Sequence, residues 1–487
     1  MNKSFNVSLI SLSLVGLLAL TGCDGDDDNT SLSLTREHDQ RAFSPAMEIS
    51  FDALDPSPIY PDATQYYGIY DGLQGEAVYT AEIPEGWDGG GLVMYTHGFR
   101  GEGATLDSSI PNDAWRAAVL AAGYAWAASS YSANFYDVRA GIEDTNKLAL
   151  NLTDYLVTDW GIQFETPSQY LISGFSLGGH VAAAAVEREN MERTLYPVPY
   201  AGSAPMCQSE QNEFQWLGDY PRAMMELAGF GDREFSDFQS LLGTYDPTGN
   251  FIVQSGEMIA ALFEVTNFGT PNWANPINEN GERLVAIVKN LTGGERPIFE
   301  QGFNTFYNDI ALSSGGADGT VTGILTGNIY DNSDRVYRWT DGDEPTAAEV
   351  EFNEQIRRAS ADDNVNPRRN DGVRWIPLVE GDFDVPVLTM HTLGDVFVPF
   401  VHQQLYREGA IANGNDDLLV QRAIRAPGHC EFSGEEIFTL LSELIAWVNF
   451  DIKPNGDEVL DSATVADDNY GCNFTNPERD GLPSCIL

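Results

Sequence analysis

Strand-length apolar runs alternate with helix-length amphipathic segments along much of the 487-residue chain. The run at 92–96 is nearly continuous in apolar residues, as expected for a parallel strand that is buried on both faces. Within 139–158, Leu148, Leu152 and Leu156 recur at i, i+4 and i+8, which predicts a helix with one apolar face. This alternation predicts the α/β class, with a mostly parallel central sheet flanked by helices.

The alternating pattern falls into two blocks that are separated by a long segment of different character. The first block predicts strands at about 77–83, 92–96, 124–129, 170–173 and 197–204, and helices at about 112–122, 139–158 and after 176. The second predicts strands at about 385–390 and 418–424, and helices at about 403–410 and 435–449. A capping box of Ser433 and Glu436 marks the start of the last helix. Between the blocks, helical pieces at about 222–228, 258–263 and 282–291 mix with aromatic, Asn- and Gly-rich loops.

The N-terminus has the pattern of an export signal. Lys3 precedes an apolar segment at 7–20 that is short for a membrane span and runs into Leu20-Thr21-Gly22-Cys23. These residues resemble the lipobox of bacterial lipoproteins, which implies cleavage before Cys23 and lipidation of its thiol. An ordinary signal peptide with a chance cysteine is the alternative. We therefore expect a lipoprotein signal peptide at 1–22 and a polar tether at 23–44. The protein would lie on the periplasmic or outer-surface face of a bacterial cell envelope, and its lipid anchor would be its only membrane contact.

The composition is that of a folded and strongly acidic protein. Hydrophobic residues make up 43% of the chain, and 73 acidic residues against 26 basic ones give a formal net charge of −47. A charge this negative argues against nucleic acid as a partner and against electrostatic attachment to anionic membranes. A solvated acidic surface is the preferred interpretation. Calcium collection at acidic turns, such as Asp341-Gly342-Asp343-Glu344, is the alternative.

One turn carries a pattern that is typical of a nucleophile. Ser176 follows the strand predicted at 170–173 and precedes an Ala-rich helix, and Gly174 and Gly178 frame it in a G-x-S-x-G sequence. Such a turn strains the serine backbone and lifts its hydroxyl to the edge of a parallel sheet. The glycines are needed because a Cβ at either position would collide with the neighbouring strand or helix. An ordinary strand-to-helix turn and a phosphate-binding loop also fit these five residues.

A serine hydroxyl needs a base to remove its proton and an acid to orient that base. Of the six histidines, His429 lies in the loop after the last predicted strand, from which an imidazole could reach the serine. Asp395 closely follows the strand predicted at 385–390, so its carboxylate should emerge at the same sheet edge as Ser176. A turn or helix-cap role for Asp395, and an ordinary loop role for His429, are the alternatives.

The order Ser176, Asp395, His429 on an alternating sheet resembles the α/β-hydrolase fold. The resemblance covers about 75–205 and 379–450. It implies that Ser176 is the nucleophile, His429 the general base and acid, and Asp395 the orienting carboxylate. On this basis 45–206 and 375–450 form the catalytic domain, 207–374 a lid or cap insertion, and 451–487 a C-terminal tail.

A second motif carries the same resemblance. His97-Gly98-Phe99 is similar to the oxyanion loop of α/β-hydrolases. The resemblance implies that the backbone N–H groups of Phe99 and Leu177 stabilise the oxyanion of the tetrahedral intermediate. The loop has a single Gly before Phe99, unlike the Gly-Gly-Gly form of many short-chain esterases.

The cysteine count indicates disulfides rather than a metal site. If Cys23 is lipidated, the five cysteines leave an even number, which in an exported chain predicts two disulfides with three possible pairings. The remaining cysteines are Cys207, Cys430, Cys472 and Cys485. Their spacing does not suggest a zinc site, and neither a metal nor a cofactor is predicted.

The position of Cys430 directly after His429 favours one of these pairings. Cys207 follows the strand after the nucleophile helix and should lie at the same sheet edge. A Cys207–Cys430 bridge would therefore hold the histidine loop beside the site, and Cys472 and Cys485 would close the tail. Tannase-like esterases pair the cysteine beside the histidine with one just before the serine. That pattern is not matched, because Phe175 precedes Ser176 here.

The expected activity is hydrolysis of a carboxylic-ester substrate through an acyl-enzyme on Ser176. A prolyl-type serine peptidase is the first alternative, because the same groups cleave amides, although Glu349 and Glu351 are a weak signal for a site that binds a peptide N-terminus. A non-catalytic surface-binding lipoprotein is the second alternative. The aromatics of the insertion are expected to form mostly its own core, with an acyl or aromatic pocket as the other interpretation. They are Phe214, Trp216, Phe263, Phe268, Trp273, Phe303, Phe306 and Tyr307.

Overall fold

A computed structural model gives the fold. It describes residues 42–46, 49, 51–101, 103–231, 250–266, 270–305, 324–325, 327, 329–342, 344–477, 479 and 481–485. The predicted export signal at 1–22, Cys23 and nearly all of the tether lie outside the described residues. Phe268, Phe306 and Tyr307 of the insertion also lie outside them.

An eight-stranded sheet forms the centre of the protein, and every strand predicted from the apolar runs belongs to it. Its strands are β1 (Ala63–Asp71), β2 (Glu76–Pro84), β3 (Gly91–Thr96), β4 (Ala125–Ser129), β5 (Gln169–Phe175), β6 (Tyr200–Met206), β7 (Val387–Thr392) and β8 (Leu419–Ile424). Strand β1 was not predicted. The buried residues of β3 and β4 are apolar or small on both faces, as a central strand requires.

The strand order across the sheet is β8-β7-β6-β5-β3-β4-β2-β1. Strands β3 to β8 are parallel, whereas β2 and β1 are antiparallel to their neighbours. The chain passes from β3 to β4 on one side and then returns to β5 on the other side of β3. Ligands bind at such reversals in open α/β sheets, beyond the carboxyl ends of the strands. The edge beyond β3 and β5 is therefore where a site is expected.

Helices cover both faces of the sheet. The helices of the protein include α1 (Asp113–Ala121), α2 (Val138–Trp160), α3 (Leu177–Ala184), α4 (Arg188–Arg193), α5 (Glu213–Leu227), α6 (Asn250–Leu262), α7 (Glu279–Leu291), α8 (Ala347–Gln355), α9 (Val401–Asn413), α10 (Gly434–Phe450) and α11 (Ser462–Val465), of which α5 to α8 belong to the insertion. Leu148, Leu152 and Leu156 of α2 are fully buried in one cluster with α3, which confirms the predicted apolar face. Helices α1 and α10 share the cluster on the opposite face.

The chain between β6 and β7 builds a core of its own. Phe214, Trp216, Phe263, Trp273 and Phe303 are all buried in this core. The ring of Trp273 meets the rings of Phe263 and Phe303 edge to face, with centroid distances of 4.9 Å and 6.2 Å. The expectation that most of these aromatics form the insertion's own core is therefore confirmed for the described ones.

Two predicted helices of the insertion have different bounds in the structure. The piece predicted at 222–228 is the end of α5, which begins at Glu213 and carries Pro221 in its interior. Proline disfavours the helix interior, so the sequence pattern gave too short a helix. The piece predicted to end at 263 ends at Leu262, because Phe263 begins a short antiparallel pair, Phe263–Val265 with Pro271–Pro276.

The C-terminal tail packs against the protein and contributes buried residues to a core cluster. A disulfide joins Cys472 to Cys485, as expected. Val465 and Tyr470 are buried in one cluster with Leu393, which lies two residues before Asp395. The tail therefore supports the loop that carries the predicted acid. None of the described helices combines the length and the apolar composition that crossing a bilayer requires.

Candidate active site

Ser176 lies in the sharp turn between β5 and α3, as the G-x-S-x-G pattern predicts. Its φ is +59°, which is unusual for a residue with a side chain. Its backbone N–H donates to the carbonyl of Met206 at 3.0 Å, and its carbonyl accepts from His180 N–H at 3.0 Å. A Cβ at Gly174 or Gly178 would collide with the backbone of Thr96, so both positions require glycine.

The three predicted catalytic side chains meet at the carboxyl edge of the sheet. The Ser176 hydroxyl lies 2.7 Å from Nε2 of His429. Nδ1 of the same imidazole donates to Oδ2 of Asp395 at 2.6 Å. The residues follow β5, β7 and β8, and parallel strands present the loops after them at one edge. The side chains therefore form one continuous chain of hydrogen bonds from Asp395 through His429 to Ser176.

The surroundings of Asp395 favour its ionised carboxylate form. It is completely buried, and its Oδ1 accepts the backbone N–H groups of Phe397 and Val398, each at 3.0 Å. Burial raises the pKa of this carboxyl, but His429, His391 and the backbone N–H bonds lower it more, so it stands below its usual value. Oδ2 is thus held in place to orient His429.

His429 is partly accessible, with 24% of its side chain exposed, whereas Asp395 is completely buried. Phe397 lies against its ring, with centroids 5.9 Å apart. Burial lowers the pKa of the imidazole, but the charge and hydrogen bond of Asp395 raise it more, so it stands above 6.5. The environment therefore favours the protonated form that a general base acquires during a reaction.

A disulfide joins Cys207 to Cys430, the pairing favoured from the cysteine positions. Both cysteines have positive φ values, +42° and +54°, in the turns that bring them together. Within the described residues, Cys207, His429 and Cys430 are also a set of ligand-type side chains with atoms within 4.8 Å of one another. The two sulfurs are bonded to each other, so the disulfide links the loop of His429 to the segment that follows β6.

The loop at 97–99 passes over the serine. A Cβ at Gly98 would lie 3.9 Å from Oγ of Ser176. Nδ1 of His97 lies 2.7 Å from the Gly98 carbonyl, and the ring stacks on Tyr131 with centroids 3.9 Å apart. In a trans peptide the carbonyl and the next N–H point in opposite directions, so holding the Gly98 carbonyl fixes the direction of Phe99 N–H.

Leu177 offers the second N–H group predicted for the oxyanion site. It is the first residue of α3, and N–H groups in the first turn of a helix have no partner within that helix. The positive end of the helix dipole also lies there and favours a negative charge. The turn thus places the Ser176 hydroxyl and the N–H group of Leu177 on adjacent residues.

The other described histidines form hydrogen bonds to groups other than Ser176. His180 is buried under the turn, where Nδ1 bonds to the Tyr136 hydroxyl at 2.9 Å and Nε2 donates to the Pro377 carbonyl at 2.7 Å. Burial lowers the pKa of His180 to about 3 and that of His391 to about 4, so neither is charged near neutral pH. His38 lies outside the described residues.

Some residues that contact the loop of Asp395 were not predicted from the sequence. Nε of Arg296, from the insertion, donates to the Leu393 carbonyl at 2.7 Å. A Cβ at Gly302 would collide with the backbone of Gly394, so the insertion packs directly on this loop. Arg100, which follows Phe99, donates to the carbonyls of Asp107 at 2.6 Å and Ser108 at 3.2 Å and so ties this loop to the segment after it.

A buried cluster of His402, Glu213 and Glu210 was also not predicted from the sequence. Nε2 of His402 lies 2.7 Å from Oε2 of Glu213, and its Nδ1 lies 3.6 Å from Oε2 of Glu210. The sequence signal was only a pair of glutamates three residues apart, shortly after β6. Their partner is nearly two hundred residues away, and no local pattern pointed to it.

Sheet order, parallel core and site position together define the α/β-hydrolase fold. Ser176 lies at the turn after β5, Asp395 after β7 and His429 after β8, in the order that this fold requires. The Phe175 position, which would hold a cysteine in tannase-like esterases, is occupied by an aromatic ring beside Phe432.

Comparisons with known proteins give distant similarities. No protein-family model matches the chain. The chain is 40% identical to o-phthalyl amidase from Xanthobacter agilis over 58 residues, which is 12% of this chain and 13% of the amidase. The match therefore spans far less than two thirds of the amidase's own length.

Three solved structures are similar over most of the chain at low sequence identity. LipA, a rice cell wall degrading esterase from Xanthomonas oryzae, is 12% identical, with 80% of this chain and 90% of that chain covered and a TM-score of 0.36. Feruloyl esterase B from Aspergillus oryzae is 13% identical, with 84% and 86% covered and a TM-score of 0.41. Prolyl oligopeptidase B from Galerina marginata is 10% identical, with 80% and 37% covered and a TM-score of 0.35. Similarity this distant says nothing about the substrate of this chain.

Proposed function

We propose that this protein is a serine hydrolase that cleaves carboxylic esters through an acyl-enzyme on Ser176. The observation that carries the proposal is the unbroken hydrogen-bond chain from Asp395 through His429 to the serine hydroxyl. A hydroxyl so placed at a strained turn can lose its proton to the imidazole as it attacks.

In the first half of the proposed reaction, Oγ of Ser176 attacks the ester carbonyl carbon while Nε2 of His429 takes the hydroxyl proton. The N–H groups of Phe99 and Leu177 stabilise the oxyanion that forms. The C–O bond to the alcohol then breaks, and His429 returns the proton to the departing alkoxide. Asp395 keeps the imidazole in the tautomer that these transfers need.

In the second half, His429 takes a proton from water as the water oxygen attacks the acyl carbonyl. The second tetrahedral intermediate collapses, the acid leaves, and the proton returns to Oγ of Ser176. Each proton that the histidine receives is thus given back within the same half-reaction.

Amide hydrolysis on the same site is the second candidate. The stretch shared with o-phthalyl amidase favours it, since that relative acts on an amide by its name. A site for a peptide N-terminus at Glu349 has little support, because this carboxylate is buried and accepts the N–H groups of Trp339, Thr340 and Thr346. A p-nitrophenyl ester series assayed beside aminoacyl-anilides separates an esterase from an amidase or peptidase.

The same assay on Ser176→Ala tests the mechanism and the non-catalytic alternative. The proposal predicts ester hydrolysis by the wild type and its loss in the variant. A non-catalytic lipoprotein would hydrolyse neither substrate in either form. Hydrolysis that survives unchanged in Ser176→Ala would remove the serine from the mechanism.

We further propose that Cys23 carries the lipid that holds the protein on the cell envelope. The support is the lipobox-like sequence before it. Expression of the full chain in a bacterium, followed by fractionation, tests the proposal. The wild type should sediment with membranes, whereas Cys23→Ser should not be lipidated. Equal incorporation of a labelled fatty acid into both forms would contradict it.

A further inference from the structure

The segment that follows β4, residues 130–135, lies against the loop at 97–99 and against residues 103 to 105. We call it the clamp segment. Nδ2 of Asn134 donates to the carbonyls of Gly103 at 2.6 Å and Thr105 at 2.9 Å. The strand order explains this contact, because β4 pairs directly with β3 and the loops that follow two parallel neighbours lie side by side. The proposed reaction assigns no part to the clamp segment.

Tyr131 of the clamp segment contacts His97 in two ways. Its hydroxyl donates to the His97 carbonyl at 3.1 Å, and its ring stacks on the imidazole with centroids 3.9 Å apart. Burial raises the pKa of the Tyr131 phenol well above 10, so the hydroxyl keeps the proton that it donates. One side chain thus holds both the backbone and the ring of His97.

The backbone of Tyr131 has a conformation that residues with side chains rarely adopt, with a φ of +56°. Its N–H donates to Oγ of Ser129 at 2.8 Å, and its carbonyl accepts from Oγ of Ser130 at 2.8 Å. Such strain persists where the surroundings fix it, and it is concentrated at functional sites. The fixed turn therefore holds the ring of Tyr131 in one position against His97.

Hydrogen bonds alone do not hold the imidazole of His97 in place. Its Nδ1 lies 2.7 Å from the Gly98 carbonyl, and its Nε2 lies 3.0 Å from the Ser130 carbonyl. Burial lowers the pKa of His97 to about 3, so the ring is neutral near pH 7 and has a single N–H to donate. The lone pair of the other nitrogen then faces a carbonyl oxygen, and the two repel each other. Packing must therefore hold the ring, and Tyr131 supplies it.

The position of His97 matters because its loop lies directly over Ser176. A Cβ at Gly98 would lie 3.4 Å from Cβ and 3.9 Å from Oγ of that serine. The Gly98 carbonyl and the Phe99 N–H belong to one planar peptide group, so the side chain that fixes the carbonyl also fixes the N–H. Rotation of this peptide would turn the Phe99 N–H away from the proposed oxyanion.

We propose that Tyr131 is a positioning residue that holds His97 with its proton on Nδ1, the nitrogen with the shorter contact, and so fixes the direction of the Phe99 N–H group. The inference rests on the proposed role of that N–H in stabilising the oxyanion. The competing interpretation is that Tyr131 only fills the core beside β4. A residue that only fills the core affects stability, and its removal does not distinguish the substrate from the transition state.

The first test compares Tyr131→Phe, which keeps the stack and deletes the hydrogen bond to the His97 carbonyl, with Tyr131→Leu, which deletes both. With p-nitrophenyl acetate, kcat should fall about tenfold in Tyr131→Phe and about 100-fold in Tyr131→Leu, whereas KM should change little. The Ki of a trifluoromethyl ketone, whose adduct with a serine carries an oxyanion, should rise by the same factors.

Tyr200→Phe is the matched control for these variants. It deletes a buried hydrogen bond to Asn146 at 2.7 Å, at the amino end of β6 and away from the site. This control should leave both kcat and Ki unchanged. If kcat and Ki are also unchanged in folded Tyr131→Leu protein, the proposal is overturned.

A double variant separates positioning from stability. Phe99→Pro removes the N–H group that Tyr131 is proposed to direct, so Tyr131→Phe should cause little further loss of kcat in that background. Two independent effects would multiply instead. Multiplied losses would show that Tyr131 does not act through this N–H group and would overturn the proposal.

A measurement on the wild type covers the case in which the Tyr131 variants do not fold. Nitrogen-15 NMR of labelled histidines, with His97 assigned by His97→Gln, shows which ring nitrogen carries the proton. The proposal predicts a neutral ring with its proton on Nδ1 near pH 7. A proton on Nε2 would mean that the ring holds the Ser130 carbonyl and not that of Gly98, which would overturn the proposal. This readout needs neither substrate nor catalysis, so it stands apart from a failure of the proposed function.

Discussion

Sγ of Cys430 lies 3.3 Å from Nε2 of His429, the nitrogen that faces the serine hydroxyl. The disulfide therefore contacts the imidazole of His429 itself as well as the loop that carries it. Cys207 at the other end of the bridge follows β6, beside the nucleophile turn. The bond thus connects the loop of His429 to the part of the sheet from which Ser176 emerges.

Replacing both cysteines of this bridge by serine should lower kcat about 100-fold, because a displacement of about 1 Å at a catalytic group has an effect of that size. The measurement is ester hydrolysis by Cys207→Ser/Cys430→Ser protein whose near-ultraviolet circular dichroism is native. The matched control is Cys472→Ser/Cys485→Ser, which opens the tail bridge. Equal losses in the two double variants would show that the first bridge has no special part in catalysis.

The pH dependence of kcat/KM should show an acid limb with a midpoint above 6.5, since the pKa of His429 is raised in the folded protein. The proton must leave the imidazole before it can act as a base, so activity is lost as pH falls through this pKa. Asp395, with its lowered pKa, stays ionised throughout that range. A midpoint at or below 6.5 would mean that the Asp395 carboxylate does not govern this histidine.

Replacing Phe99 by proline removes the backbone N–H assigned to the oxyanion, and kcat should fall by about 100- to 1,000-fold. Phe99→Ala is the matched control, because it keeps the N–H and deletes a ring that is 51% exposed. A single-turnover assay with an activated ester separates this effect from product release. If alanine and proline reduce kcat equally, the ring and not the N–H group is what matters.

Glu349→Gln should destabilise the insertion by about 1–3 kcal/mol, the cost of weakening hydrogen bonds to a buried charged acceptor. Burial raises the pKa of this carboxyl, but bonds from Thr346, Trp339 and Thr340 lower it to about 2 in the folded protein. Its contribution is therefore present above its ordinary pKa of 4.5 and is lost as pH falls towards 2.

Urea unfolding at pH 7 and pH 3 measures that difference, with Glu351→Gln as the exposed control on the same helix. The gap between wild type and Glu349→Gln should shrink at the lower pH, whereas the control should match the wild type at both. A gap that does not change with pH would mean that the charge of Glu349 is unimportant.

The site could be predicted from the sequence because each part of it is local. The turn at Ser176 carries its glycines within two residues on either side, and Asp395 and His429 each lie in the loop that follows a buried strand. Parallel strands place such loops at one edge whatever the rest of the chain does. The pairing of Cys207 with Cys430 followed from the same edge.

The parts that could not be predicted depend on distant partners. Strand β1 is an edge strand with Gly68 in its interior, where the ring of Tyr79 lies against the backbone, and glycine weakens a strand signal. His402 and Glu213 have ordinary local sequences, and only the folded chain brings them within 2.7 Å. The packing of Gly302 on Gly394 likewise depends on the fold of the insertion.

The most direct test of the central claim is covalent labelling of Ser176 by a fluorophosphonate probe, read out by mass spectrometry of the labelled peptide. The account predicts one label, on Ser176, in the wild type. It predicts none in Ser176→Ala, and slow labelling in His429→Gln because the hydroxyl has lost its base. Rapid labelling of another serine, or ester hydrolysis that continues undiminished in Ser176→Ala, would contradict the claim that this residue is the nucleophile.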